Sequence, residues 1–175
     1  KFKASLYTNG YMLTEKYLKK NPSIFSLDSL RISFYGVNDH ETFSVTKKKQ
    51  AFKIVTNNII NYLKIKNEVG SNTSFGLNFV ILKNKSSDVI ELFKLISDLN
   101  KSVGNEKNNF DFITLREDFR ILGSRMDDDE KKELIKNINT IEEMKANDKY
   151  LKNIHIDYGF ALEPLKNGFN GNKIE

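Results

Sequence analysis

The sequence predicts an α/β fold built from parallel βα units, either an open sheet or part of a barrel. Short runs rich in Ile, Phe and Leu alternate along the chain with longer segments whose apolar residues recur at helical spacing. Strands separated by helices join through right-handed crossovers, which makes the strands parallel. The chain has 175 residues, enough for one domain, whereas a complete eightfold barrel takes about 250.

Each element has its own local reason. Residues 2–7 form a β-prone run that ends at Thr8-Asn9-Gly10, a chain-reversal signal. Residues 13–20 read as a short helix with Thr14 as N-cap, and Pro22 stops it. In the strand at 30–35, Leu30, Ile32 and Phe34 alternate with Arg31, Ser33 and Tyr35, and Gly36 closes it. A polar stretch over 37–46 leads to a long helix over 47–68, where Phe52, Val55, Ile59, Tyr62 and Leu63 share one face. The run at 75–82 is so continuously apolar that it reads as a strand covered on both faces.

Ser86, Ser87 and Asp88 offer caps for a helix carrying Ile90, Leu92, Phe93, Ile96 and Leu99, and a strand follows at 110–115. Asp127-Asp128-Asp129 is an acidic start for a helix over 127–146, favoured by the macrodipole. Residues 154–162 read as a fifth strand or an ordered return. We therefore expect a single domain over 1–175, with core βα units over 1–146 and an extra strand and tail over 147–175.

Composition narrows the chemistry. The chain has no Cys, which excludes a disulfide scaffold, a thiolate nucleophile and any cysteine-ligated metal centre built from this stretch alone. No apolar run has the length of a membrane span and no signal-peptide pattern opens the chain, so we expect a cytoplasmic protein without membrane contact. The net charge is +5, but Lys is interleaved with Asn, Asp and Glu, and Lys47-Lys48-Lys49 is the one short basic run. A solvated surface explains this better than a nucleic-acid footprint, and no nucleic-acid partner is expected. The chain opens inside a strand pattern with no initiator Met, and we expect it to be a piece of a longer polypeptide.

Gly-rich phosphate loops and a nucleophile elbow are absent from the sequence. His40, between Asp39 and Glu41, reads as a solvated loop residue, because adjacent side chains rarely converge on one ion, and no metal ligands are assigned. His155 is expected to pack or hydrogen-bond within its strand. In parallel βα folds chemistry belongs at the carboxyl ends of the strands. Asn78 interrupts an apolar strand there, and a buried amide needs a hydrogen-bond partner, from a ligand or from backbone. Ser33 raises the same question. Arg116 follows Leu115 directly and can clamp a carboxylate or phosphate, or pair with a strand-end acid.

The order of four motifs, LYTNGYML (6–13), LDSLRISFYG (27–36), GLNFVILKN (76–84) and DFITLRED (111–118), resembles the later part of the radical S-adenosylmethionine superfamily core. That family has a strand ending in Thr-Asn-Gly, then one like Leu-x-Ile-Ser-Leu-Asp-Gly; here Tyr35 stands where Asp is common. The family's Cys-x-x-x-Cys-x-x-Cys loop and its Gly-Gly-Glu motif are not in the chain. The resemblance implies a (β/α)6 partial barrel whose first two βα units precede Lys1. It also implies an enzyme that binds S-adenosylmethionine and a 4Fe-4S cluster and abstracts hydrogen from a small-molecule or otherwise unknown substrate, the chain alone being inactive. Thr8, Ser33, Asn78 and Arg116 would contact the cofactor, Arg116 through its methionine carboxylate. Tyr35, Asn38, Glu117 and Asp118 would lie on the substrate side. Half a barrel would leave an open edge through which the chain self-associates. The competing expectation is a stand-alone α/β ligand-binding or regulatory module without catalysis.

Overall fold

The computed structural model describes residues 2–118, 125–159 and 162. Five strands alternate with helices: β1 (Ser5–Thr8), α1 (Glu15–Lys20), β2 (Ser29–Phe34), α2 (Asp39–Thr46), α3 (Ala51–Glu68), β3 (Ser74–Ile81), α4 (Asp88–Val103), β4 (Phe112–Glu117), α5 (Asp128–Asn147) and β5 (His155–Tyr158). A 3-10 turn at Pro22–Ser26 follows α1. The strands form one sheet in the order β1-β2-β3-β4-β5, and each neighbouring pair is parallel. This is an α/β fold with a five-stranded parallel sheet.

Strand order that steps one way, with crossovers of one hand, brings successive helices to the same side of the sheet. Leu30, Ile32, Phe34, Phe75, Leu77, Phe79, Ile113 and Leu115 are buried on that side. They belong to one apolar cluster with Ile59, Tyr62 and Leu63 of α3, Leu92, Phe93 and Ile96 of α4, and Leu134 and Ile141 of α5. Each large side chain buried there is worth about 1.5–3 kcal/mol against leaving it exposed. Phe25, Tyr62, Phe75 and Phe110 continue as a chain of ring contacts with centroids 5.1–5.3 Å apart.

The opposite face is different. Its rows follow the register: Tyr7–Arg31–Gly76–Phe112–His155, then Ser33–Asn78–Thr114–Asp157, then Val80–Arg116. Among the described residues no helix covers these side chains; Arg31, Ser33, Asn78, Val80 and Asp157 are half-buried, and Tyr7, Arg116 and His155 are exposed. The strand at 75–82 has no exposed residue: Phe75, Gly76, Leu77, Phe79 and Ile81 are buried, and Asn78, Val80 and Leu82 are half-buried. Its apolar look comes from Gly76 and Val80 on the open face, added to Phe75, Leu77, Phe79 and Ile81 on the helix side.

Element boundaries also differ from the sequence reading. Residues 39–46 are helical rather than a polar connection, because Asn38 caps them by accepting from the Glu41 N–H at 2.9 Å. The long helix begins at Ala51, not 47, because Lys47 and Gln50 adopt left-handed backbone (φ 58° at each) and break the helical path. The fourth strand runs two residues later than 110–115; Asp111 just before it donates its N–H to the Phe75 carbonyl at 2.8 Å and accepts at its carboxylate from the Phe75 N–H. Ser87 is the N-cap of α4 but makes no side-chain capping bond. Of 154–162, residues 155–158 are strand; Phe160, Ala161 and the tail from 163 onward lie outside the described residues. Among the described residues no helix is long and apolar enough to cross a membrane.

Candidate functional site

The open face and the carboxyl ends of β1 to β4 gather most of the polar residues singled out in the sequence. Ser33 and Asn78 are register partners on β2 and β3, and Thr114 and Asp157 extend their row across β4 and β5. Thr114 donates from its hydroxyl to the Asp157 carboxylate at 3.0 Å. The Asn78 side-chain oxygen, Oδ1, is shielded from solvent and has no hydrogen-bond partner among the described residues. An unsatisfied shielded acceptor costs about 1–3 kcal/mol, so it is a position where a ligand donor gains. Arg116 lies two residues beyond Thr114 on the same face, beside Val80.

Two clefts open at these strand ends. One, of about 540 Å³, lies between the β1–α1 connection and the α2–α3 turn, and Ser33, Tyr35, Tyr11, Lys48 and Phe52 line it. The other, of about 370 Å³, is lined by Val80, Leu82, Arg116, Glu117 and Asp118. Tyr35 and Val45 line both, so the two clefts adjoin along the carboxyl edge.

The remaining expected site residues are placed in different ways, Glu117 and Asp118 at the second cleft and the others away from both. Thr8 pairs in register with Ile32 and so faces the helix side, where its hydroxyl accepts from the Gly10 N–H at 3.2 Å. Glu117 pairs with Ile81, is buried, and accepts at its carboxylate from the Met126 N–H at 2.6 Å, anchoring the chain before α5. Asn38 is exposed and occupied as the α2 cap. Asp118 is buried at the groove wall. His40 is exposed in the first turn of α2, and His155 is exposed on the open face instead of packed. The two changes of side, at Thr8 and Glu117, have one cause: neighbouring residues of a strand point to opposite faces.

Sequence reasoning missed Asp157 and Arg31. The alternation His155, Asp157 against Ile156, Tyr158 carries the signal for Asp157, since it places the carboxylate in the row of Asn78. The Arg31 guanidinium lies over the Phe112 ring at 4.6 Å and the Tyr7 ring at 5.2 Å. Gly76 between them leaves room, for a Cβ there would meet the Phe112 carbonyl and ring at 2.3–2.4 Å. Nothing in the spacing of single strands reveals this stack, which arises only when three strands come into register.

The groove rim is braced by Glu41. It accepts from the Val37 N–H at 3.0 Å and from the Lys85 ammonium at 3.1 Å. Burial pushes the Glu41 carboxyl up, but these two donors outweigh burial and hold it below the ordinary carboxylate range. Gly36 lets the first turn of α2 approach β2, since a Cβ there would lie 2.5 Å from that of Glu41.

No protein-family model matches the chain. It is similar to a dTDP-4-amino-4,6-dideoxy-D-glucose ammonia-lyase of Streptomyces venezuelae, with 32% identity over 165 residues. The similarity spans 94% of this chain and 33% of the relative, so the chain corresponds to about a third of that enzyme's length.

Proposed function

We propose that this chain is the later portion of a radical S-adenosylmethionine enzyme of the lyase type, its sheet forming part of a (β/α)6 partial barrel and its open face the inner wall. The observation that carries the reading is the row Ser33–Asn78 with the unpartnered Asn78 Oδ1, on the same face as Arg116. The similarity to an ammonia-lyase acting on an amino sugar supports it chemically. Eliminating ammonia from a carbon flanked by a hydroxyl-bearing carbon offers no acidic C–H for a base. Removal of a hydrogen atom is the suitable alternative.

The residues fit S-adenosylmethionine but not the cluster. The chain has no Cys, and among the described residues no group of three His, Asp or Glu is placed to hold a metal ion. Cluster ligands therefore belong to a segment outside this chain. When bound, the cluster and S-adenosylmethionine supply the radical that takes the hydrogen atom. This chain's residues bind and orient. Asn78 Oδ1 accepts from a ribose hydroxyl, Ser33 offers a second polar contact, and the Arg116 fork pairs with the methionine carboxylate. Asp157, held by the Thr114 hydroxyl, presents a fixed acceptor beside them. Ser33 and Tyr35 line the wider cleft, Tyr35 lines the second cleft as well, and Asp118 belongs to the wall of that second cleft.

The test uses a polypeptide carrying this chain together with the three-cysteine segment. Asn78→Leu is expected to weaken S-adenosylmethionine binding by about 1–3 kcal/mol. Arg116→Lys should weaken it too, because Lys keeps the charge but loses the bidentate fork. Calorimetric titration beside melting curves gives the answer: unchanged affinity in both folded variants would leave a shared fold without the shared site.

A further inference from the structure

The stack of Tyr7, Arg31 and Phe112 on the open face has no part in the cofactor row. The Arg31 guanidinium lies 5.2 Å from the centre of the Tyr7 ring and 4.6 Å from that of Phe112. Phe112 reaches it because Gly76, its register neighbour on β3, has no side chain to fill the space under the ring. Attraction between cation and rings holds the guanidinium there. No oxygen or nitrogen of the chain accepts from it, however. Among the described residues Arg31 makes no hydrogen bond and no ion pair, although it is half-buried. A guanidinium carries five N–H donors in a planar fork, and donors left half-buried without an acceptor are a cost that a ligand can remove.

The charge at this position selects the acceptor. The other strand residues of the face that can carry positive charge, Arg116 and His155, stand two and three strands away, so Arg31 presents a single positive charge. Asp157, the acid of the face, is also three strands away and is engaged by the Thr114 hydroxyl. A carboxylate has one negative charge and two oxygens that match the fork, whereas a phosphate monoester carries close to two charges. Tyr7 and Phe112 add apolar surface beside the fork. Arg31 precedes Ser33 by two residues on the same strand and face, which sets it about 7 Å toward the amino ends of the strands from the Ser33–Asn78 row.

We propose that Arg31 anchors a second ligand site on the open face, one that takes the carboxylate of a small organic acid. Both carboxylate oxygens accept from the guanidinium fork, and the apolar body of the acid rests against the Tyr7 and Phe112 rings. The site is separate from the position given to the methionine carboxylate at Arg116. It goes beyond the reading of the chain as part of a radical enzyme and does not depend on it. With a cofactor on the Ser33–Asn78 row, the acid lies one row away, within reach of it.

The experiment follows the Arg31 Nε–H resonance of the 15N-labelled 175-residue chain during additions of acetate, benzoate and inorganic phosphate, with chloride holding the ionic strength constant. Acetate and benzoate should each give a saturating shift, benzoate at lower concentration because it adds apolar contact, and phosphate should bind more weakly than acetate. Arg31→Lys keeps the charge but loses the fork, and should weaken benzoate by roughly tenfold in calorimetric titration. Tyr7→Ser, at an exposed position, removes one ring while leaving the core untouched, and should weaken it as well. A shift that rises without saturating, phosphate binding tighter than acetate, or unchanged benzoate affinity in either folded variant overturns the inference. The same titration of the polypeptide with the cysteine segment should saturate too; loss of the shift there would mean that the polypeptide fills the fork itself, and also overturns it. Cofactor binding without carboxylate binding at Arg31 removes this site alone. Carboxylate binding that depends on Arg31, without cofactor binding, removes the radical reading alone.

Discussion

Glu41 shows how one side chain can serve the edge of a site without entering it. It ties Val37, just past β2, to Lys85, just past β3, and so fixes the rim at which the groove begins. Its carboxyl titrates below the ordinary value in the folded protein, so the folded state favours the charged form. Its contribution is complete above the ordinary carboxylate pKa and is lost as pH falls through the lowered folded value. Asp88 acts in the opposite sense, because burial and the neighbouring Glu41 raise its pKa. The expected outcome for Glu41→Gln is a loss of about 1–3 kcal/mol at neutral pH that shrinks in acid. Urea unfolding of parent and variant at neutral and acid pH measures it, and a pH-independent difference would assign Glu41 a packing role only. At this scale the sequence disclosed residue types but not faces. Ser33, Asn78 and Arg116 share a side because their strand positions match in register, whereas Thr8 and Glu117 lie one step out of phase with them.

Helix ends carry the clearest signals at the scale of elements. Asp127 accepts from the backbone N–H groups of Asp129 and Glu130, and Glu130 returns the bond by accepting from the Asp127 N–H at 3.0 Å. This reciprocal cap satisfies amides that the helix itself leaves open. Glu130 also accepts from the Asn84 N–H, which ties α5 to the end of β3. Asp127→Ala should cost about 0.5–2 kcal/mol, read from the denaturation midpoint, while the aromatic chain of the core stays intact. Strong local chemistry of this kind made α5 and the Thr14 cap of α1 legible in the sequence. The α2–α3 break was not legible, because Lys47 and Gln50 are not residues that ordinarily announce left-handed backbone. The strand at 110–115 was displaced by two because Phe110, although buried, belongs to the aromatic chain before the strand and not to the ladder.

The sheet has two edges at the scale of the whole molecule. β1 pairs with β2 alone and β5 with β4 alone among the described residues. Unpaired edge amides and carbonyls are a template for another strand. We expect the isolated chain to self-associate through β1, near the exposed Tyr7 and Phe2. Sedimentation over a wide concentration range tests this, and a strict monomer at high concentration would count against an open edge. Parallel pairing in chain order was legible at this scale, because helices of ordinary length separate each strand from the next.

The same strand order shapes how the polypeptide reaches its structure. β1 meets β2, β2 meets β3 and so on, and α3 meets α4 as α4 meets α5, so each unit docks on the one made just before it. Among the described strands, each pairs with the one made just before it. Loop-closure entropy is therefore met in short instalments, and growth from the amino end can proceed while the ribosome is still extending the chain. A sheet assembled in this manner grows by successive βα additions, and each addition brings its apolar side chains into the one cluster that the whole sheet shares.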